Sequence, residues 1–123
     1  MPWHASIHPE LPVIETFYSG VITQSELTEA VMENISLVNE HGIFRLLGDC
    51  TALEGGHSIF DLYYLVDTVI SAGIPGNLKE AVILPSLQAS AEKVKFWETA
   101  CLNRGFKVRL FQDRASALDW LME

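Results

Sequence analysis

The chain has 123 residues, which is enough for one domain with a single hydrophobic core and too short for two. Hydrophobic residues make up 49% of the sequence and charged residues 20%, a composition typical of a packed globule and unlike that of a disordered chain. The formal net charge of −8 repels phosphate backbones, which argues against a nucleic-acid partner. We therefore expect residues 1–123 to form one domain.

The sequence shows no signal for export or for a membrane span. No apolar run approaches the roughly 18 residues that crossing a bilayer requires. The first residues, Met1–His4, lack the charged and apolar regions of a signal peptide, so a cytoplasmic location is expected. Cys50 and Cys101 lie far apart without CxxC spacing, and we expect both to be free thiols.

The first predicted elements are two strands. Residues 3–8 alternate loosely between apolar and polar types, and residues 11–18 are rich in β-branched and aromatic types. Pro9 and Glu10 between them suit a turn. The sequence therefore predicts an N-terminal β-hairpin.

The first helix has a start signal and a stop signal. Thr23 and Glu26 have the spacing of a capping box, in which the hydroxyl and the carboxylate each satisfy a free amide of the first turn. Gly42 supplies the C-terminal stop. Between these ends, apolar residues recur at helical spacing, namely Leu27, Val31, Ile35 and Val38.

The stretch after this helix predicts a strand, a loop and a second helix. Residues 43–48 form a short apolar run, typical of a central parallel strand covered on both faces. We expect the strand to end near Gly48, a loop to span residues 50–58, and a helix to run over residues 58–72. Ligands and partners of α/β folds gather where strands lead into helices, so this stretch is the first place to seek a site.

The remaining elements continue the alternation. We predict a strand over residues 80–84, a helix from Ser86 to Gly105, a strand over residues 106–111 and a short helix capped by Asp113. The order is β-β-α-β-α-β-α-β-α, an α/β fold. It predicts a hairpin leading into a mostly parallel sheet of four or five strands with helices on its faces.

The second helix carries more apolar residues than one sheet face normally covers. At about 100° per residue, one side collects the polar residues Asp61, Asp67, Thr68 and Ser71, with Phe60 and Tyr64 among them. The opposite arc is apolar and comprises Ile59, Leu62, Tyr63, Leu65, Val66, Val69 and Ile70. A neighbouring helix, a second subunit or an apolar ligand would each cover the surplus.

Residues 96–121 resemble the SpoIIAA-like family, relatives of the STAS domains that act as anti-sigma-factor antagonists. The similar features are an apolar strand that ends at Phe111, a short polar turn, and a terminal helix with Ala117 and Trp120-Leu121. Further similar positions lie upstream, at Gly20, Thr23, Leu27 and Arg45–Asp49. The resemblance implies a SpoIIAA-like fold for nearly the whole chain.

The resemblance also implies a position for regulation. STAS antagonists carry an Asp-Ser-Ser/Thr-Gly motif, whose serine at a helix start is phosphorylated, and the corresponding position here is His57-Ser58. His57 replaces the Asp, and Ile59-Phe60 replace the second hydroxyl residue and the Gly. Ser58 is therefore either a phosphorylation site or simply the helix cap, with Asp61 in the first turn.

Other chemistry has weaker support in the sequence. Cys50, His57 and either Asp61 or Glu54 have the residue types of a nucleophilic triad, but nearness in sequence does not establish one. Cys50 is better explained as a small apolar residue at a strand end. No metal or cofactor is predicted, because His4 and His8 would lie about 13 Å apart on an extended strand. Gly55-Gly56 also lacks the Lys-Ser/Thr of a phosphate loop.

These observations lead to a non-catalytic regulatory or protein-interaction module that resembles STAS domains. It would act through the 50–58 loop and the 58–72 helix on a protein partner or as a homodimer, with no cofactor. The alternative is a small-molecule or lipid-binding protein with a pocket beside this helix, lined by some of Phe60, Leu62, Tyr63 and Tyr64. A hydrolase using Cys50 or Ser58 is a third hypothesis. The predicted binding or regulatory residues are Asp49, His57, Ser58, Asp61, Tyr63 and Tyr64.

Overall fold

The computed structural model describes residues 2–55, 59–73, 77–86 and 88–123. In these ranges the elements follow one another in the predicted order. They are β1 (Trp3–Ile7), β2 (Ile14–Val21), α1 (Gln24–His41), β3 (Arg45–Gly55), α2 (Ile59–Ser71), β4 (Lys79–Ile83), α3 (Gln88–Asn103), β5 (Lys107–Phe111) and α4 (Arg114–Leu121).

Within the described ranges the strands form one five-stranded sheet in the order β1-β2-β3-β4-β5. β1 runs antiparallel to β2, with Trp3 opposite Tyr18, and the other neighbouring pairs are parallel. The predicted hairpin and the mostly parallel sheet are confirmed. Each parallel step moves in the same direction across the sheet, and crossovers share one hand, so α1, α2 and α3 lie on the same face.

Two boundary predictions were wrong, because β2 covers Ile14–Val21 and not residues 11–18, and β3 extends beyond Gly48. β3 begins at Arg45 and continues to Gly55, so residues 50–55 are strand and not part of a loop. The extension arises because the end of β2 runs beside it and pairs Ser19 with Ala52 and Val21 with Gly55 across two register shifts. This pairing is a long-range contact that the apolar pattern does not reveal.

The hydrophobic core lies on both faces of the sheet. On the face with α1, α2 and α3, the main cluster includes Leu27, Cys50, Leu53, Leu62, Leu65, Val66, Val82, Val94, Cys101 and Val108. On the opposite face, α4 is the only helix within the described ranges, and its cluster comprises Val13, Leu47, Ala81, Ile83, Ala117 and Leu121. None of the helices that the structure describes is both long and apolar enough to cross a membrane.

The caps that the sequence predicted for α1 and α4 are present. The Thr23 hydroxyl accepts a hydrogen bond from the Glu26 amide at 3.2 Å, and the Thr23 amide donates to the Glu26 carboxylate at 2.9 Å. Gly42 ends α1 in a left-handed conformation with φ 64°, which glycine adopts without steric cost. Asp113 caps α4 by accepting from the Ser116 amide at 2.8 Å. These local signals fix where α1 and α4 begin.

Two cations from the sheet hold the C-terminal end of α4. Lys79 Nζ donates to the Trp120 carbonyl at 2.7 Å and lies 4.4 Å from the centre of the Trp120 ring. Arg45 Nε donates to the Leu121 carbonyl at 2.8 Å. The last carbonyls of a helix lack partners within the helix and carry partial negative charge, so both contacts stabilise this end.

We expect Lys79→Met to lower the free energy of unfolding by roughly 1 to 2 kcal/mol, because it removes a charge-assisted hydrogen bond and a cation–π contact. Urea denaturation measures the change. Lys107→Met is the matched control, since Lys107 lies beside Lys79 in the sheet and is exposed. An equal loss in both variants would contradict the role of Lys79.

Candidate functional site

α2 packs against both α1 and α3. Its buried residues are Leu62, Leu65, Val66 and Val69. Of the three explanations for the apolar surplus, the neighbouring helices therefore account for the inward side of α2.

The outward side of α2 combines apolar and charged groups. Tyr64 is 59% exposed, as its place among the polar residues predicted, whereas Ile70 of the predicted apolar arc is 40% exposed. Asp67 lies between them and pairs with Arg104 at 3.0 Å, just after α3. Leu102, near the end of α3, is 53% exposed. We call Tyr64, Asp67, Ile70, Leu102 and Arg104 the α2 surface.

The structure does not bring all the predicted site residues together. Asp49 lies on β3 beside Phe17 and Ile83, and its side chain is on the α4 face, away from α2. Its carboxylate accepts hydrogen bonds from the amide and the hydroxyl of Thr51, at 3.0 and 2.6 Å. The separation follows from strand alternation, because Asp49 lies two residues after Leu47, whose side chain packs in the cluster under α4.

The other predicted residues fall on or before α2. Asp61 is half-buried in the first turn of α2, and Tyr64 lies on the α2 surface. His57, Ser58 and the side chain of Tyr63 lie outside the described residues. The predicted cap and phosphorylation position thus remain predictions.

The thiols are poorly placed for nucleophilic chemistry. Cys50 and Cys101 are free and buried, as expected. Burial raises the pKa of the Cys50 thiol, and the nearby Glu80 carboxyl raises it further. The same two causes raise the pKa of Cys101. Because the thiolate is the reactive form, both side chains act as small core residues.

Glu80, a carboxyl that the sequence analysis did not single out, lies at the centre of the sheet face that α1, α2 and α3 cover. Glu80 on β4 accepts a hydrogen bond at Oε1 from Trp97 Nε1 on α3, at 2.7 Å. Burial raises the pKa of Glu80, and the Trp97 hydrogen bond opposes that effect in part. The sequence did offer one signal for this position. Side chains alternate along β4, which places Glu80 on the same face of the sheet as the buried Val82.

Two cavities adjoin Glu80 between the sheet and the helices on this face. One has a volume of about 50 Å³ and the other about 60 Å³, and Val31, Glu80 and Trp97 line both. Apolar residues dominate the other walls. The first cavity includes Ile35, Val38, Leu46, Val69, Cys101 and Val108, and the second includes Leu27, Cys50, Leu53, Leu62, Leu65 and Val94.

Further polar side chains lie at the edges of these cavities. Burial and the nearby Glu80 carboxyl raise the pKa of Tyr18, which lines the second cavity. The Thr16 hydroxyl donates to Asn34 at 2.6 Å. Among the described residues, no three His, Cys, Asp or Glu side chains converge as metal ligands.

The comparison with solved structures identifies the fold. An uncharacterised protein of the DUF3478 family from Shewanella loihica PV-4, described as having a SpoIIAA-like fold, superposes with a TM-score of 0.63. The match covers 97% of this chain and 93% of that chain at 20% sequence identity. The chain has a SpoIIAA-like fold. Neither the family models nor the curated proteins compared with the sequence gave a match.

The raised pKa of Glu80 predicts a pH-dependent stability. In the unfolded chain the pKa returns to the ordinary value of 4.5, so above this pH the folded state holds its proton more tightly. The contribution of Glu80 to the free energy of unfolding is therefore largest at low pH, and it is lost as the pH rises from 4.5 through the pKa of Glu80 in the folded state. We expect Glu80→Gln to be more stable than the native protein at pH 7, with the difference vanishing near pH 4.

Denaturant titrations between pH 4 and 8 measure this difference. Glu92→Gln is the matched control, because Glu92 is an exposed carboxylate on α3. A difference between Glu80→Gln and the native protein that stays constant across this pH range would rule out a shifted titration.

Proposed function

We propose that this protein is a non-catalytic regulatory or protein-interaction module of the STAS type, acting in the cytoplasm. Its partner is another protein or a second copy of the chain, bound at the α2 surface. The observation that carries the proposal is the 59% exposure of Tyr64 on a helix whose opposite side buries Leu62 and Val66 in the core. The SpoIIAA-like fold supports the same conclusion.

The chemistry of the α2 surface suits a protein contact. Tyrosine and arginine are enriched at protein interfaces, because each combines a large contact area with hydrogen-bonding groups. Here Tyr64 lies one helical turn from Asp67, which is already paired with Arg104. The partner would cover two exposed aliphatic side chains, Ile70 and Leu102.

Regulation would act at the start of α2. A phosphate on Ser58 would interact favourably with the amides and the dipole of the helix N-terminus. Asp61 lies in the first turn, so the phosphate on Ser58 would add a second negative charge close to the Asp61 carboxylate. His57 and Ser58 are the proposed regulatory residues, whereas Asp49 on the α4 face no longer belongs to this group.

We expect the native protein to form a homodimer. The dimer of the double variant Tyr64→Ala, Ile70→Asp should have a dissociation constant at least tenfold higher, because the variant loses central contacts of the interface. Light scattering across a concentration series measures the dissociation constant. Met32→Ala is the control, since Met32 is an exposed apolar residue on α1. A native protein that stays monomeric at high concentration and purifies without a partner would overturn the proposal.

A second candidate function is favoured by the two cavities beside Glu80 and Trp97. Apolar walls with a small number of polar groups are typical of small-molecule sites. Of the residues that the sequence offered for such a pocket, Leu62 lines the second cavity, whereas Tyr64 is exposed and lines neither cavity. The side chains of Phe60 and Tyr63 lie outside the described residues.

If the protein carries a small molecule, organic extracts of natively purified protein should contain one compound in near-equal molar amount. Mass spectrometry of the extract measures it. The control is protein that was unfolded, washed and refolded before extraction, which should yield none. An extract that is empty in both cases removes the main support for this candidate.

A further inference from the structure

The edge of the sheet at β1 carries an inference that goes beyond the proposed function. We propose that β1 is a second contact surface, which pairs antiparallel with β1 of a second copy of the chain about a two-fold axis at Ala5. β1 spans Trp3–Ile7 and shares no residue with the α2 surface, so both contacts can form in one assembly.

The first step is the direction of the backbone groups of β1. The strand lies at one end of the sheet order, so only one of its sides pairs with a strand. The Ser19 amide donates to the Pro2 carbonyl and the His8 amide donates to the Val13 carbonyl, both at 2.8 Å. Residues that exchange hydrogen bonds with a neighbouring strand alternate with residues that do not. The even-numbered residues of this segment therefore face β2.

The odd-numbered residues consequently direct their backbone groups outward. These are the N–H and C=O groups of Trp3, Ala5 and Ile7. In the part of the chain that the structure describes, no turn, loop or side-chain hydrogen bond reaches them. A row of unpaired N–H and C=O groups is a template for pairing with another strand.

The second step is the absence of protection at this edge. Edge strands are commonly kept from pairing by lysine, proline or other charged residues. The β5 edge has such protection in the exposed Lys107 and Arg109, whereas β1 contains no lysine, arginine, acidic residue or proline. Two chains of formal net charge −8 can therefore bring these strands together without placing like charges on them opposite each other.

The third step is the self-complementarity of β1 about Ala5. In this register Trp3 lies opposite Ile7 of the partner subunit, and each outward N–H meets an outward C=O. Trp3 packs against the core under the helices, and Ile7 on the same face is 37% exposed. An aromatic and a β-branched residue form a favourable cross-strand pair. On the other face His4 lies opposite Ser6 of the partner subunit, so the two imidazoles do not oppose each other. A two-fold contact of this kind closes on itself and commits the edge to one partner.

Disulfide formation between two cysteine variants tests this register. The pairing places His4 opposite Ser6 of the partner subunit at a non-hydrogen-bonded position, with about 4.5 Å between Cα atoms, which a disulfide can span. Two His4 or two Ser6 residues would lie about 7 to 8 Å apart. On oxidation, we expect an equimolar mixture of His4→Cys and Ser6→Cys to form the mixed dimer at least tenfold faster than either variant alone forms its own dimer. Mass spectrometry identifies the products. The native protein controls for Cys50 and Cys101, which are buried.

Two glutamate variants test what the edge contributes to association. Ile7→Glu places a carboxylate against the negative face of the Trp3 ring of the partner subunit. Met122→Glu is the matched control, because Met122 is 39% exposed and lies at the end of α4. Sedimentation equilibrium measures both in the background of Tyr64→Ala, Ile70→Asp, which removes association at the α2 surface. We expect Ile7→Glu to raise the dissociation constant at least tenfold and Met122→Glu to leave it unchanged.

The outcomes separate this contact from the proposed function. If the mixture crosslinks no faster than the single variants, or if Ile7→Glu associates like Met122→Glu, two copies do not pair at β1 and the inference falls. The test of the α2 surface is unaffected by that result. If the mixed disulfide forms while Tyr64→Ala, Ile70→Asp associates like the native protein, the β1 contact stands and the α2 contact falls. The crosslinking comparison substitutes only solvent-accessible residues, so it remains decisive even if Ile7→Glu does not fold.

Discussion

The parallel pairing of β3 with β2 and β4 is the constraint on which the rest of the structure depends. β3 supplies Leu47 to the cluster under α4 and supplies Cys50 and Leu53 to the cluster under the other helices. Because side chains alternate along a strand, a slip of one residue would exchange these two sets between the faces. The register of β3 thereby decides which of its side chains each layer of helices contacts.

The same register creates the unusual chemistry of the helix-covered face. It places Glu80 across from Leu46, on the face that α1, α2 and α3 cover. α2 packs mainly between α1 and α3, and space remains above the strands beside this carboxyl. The contact with Trp97 keeps Glu80 oriented within that space. The outward α2 surface and the inner cavities are thus two sides of the helix layer, available for different partners.

Local signals made much of the fold predictable from the sequence. Thr23, Glu26 and Asp113 act within one helical turn, so their patterns predicted the caps directly. The length of β3 was not predictable in this way, because it depends on pairing with Ser19–Val21 across a long sequence separation. Glu80 was overlooked because its role depends on Trp97, which a separate helix brings to it.

The two cavities also bear on how the protein responds to hydrostatic pressure. Unfolding removes internal empty space and lets water fill it, so the unfolded chain with its solvent occupies less volume than the folded protein. The space beside Glu80 and Trp97 adds to that volume difference for as long as it is unfilled. A molecule bound there would reduce it. Compression therefore favours the unfolded chain most strongly when the cavities beneath the helices are empty.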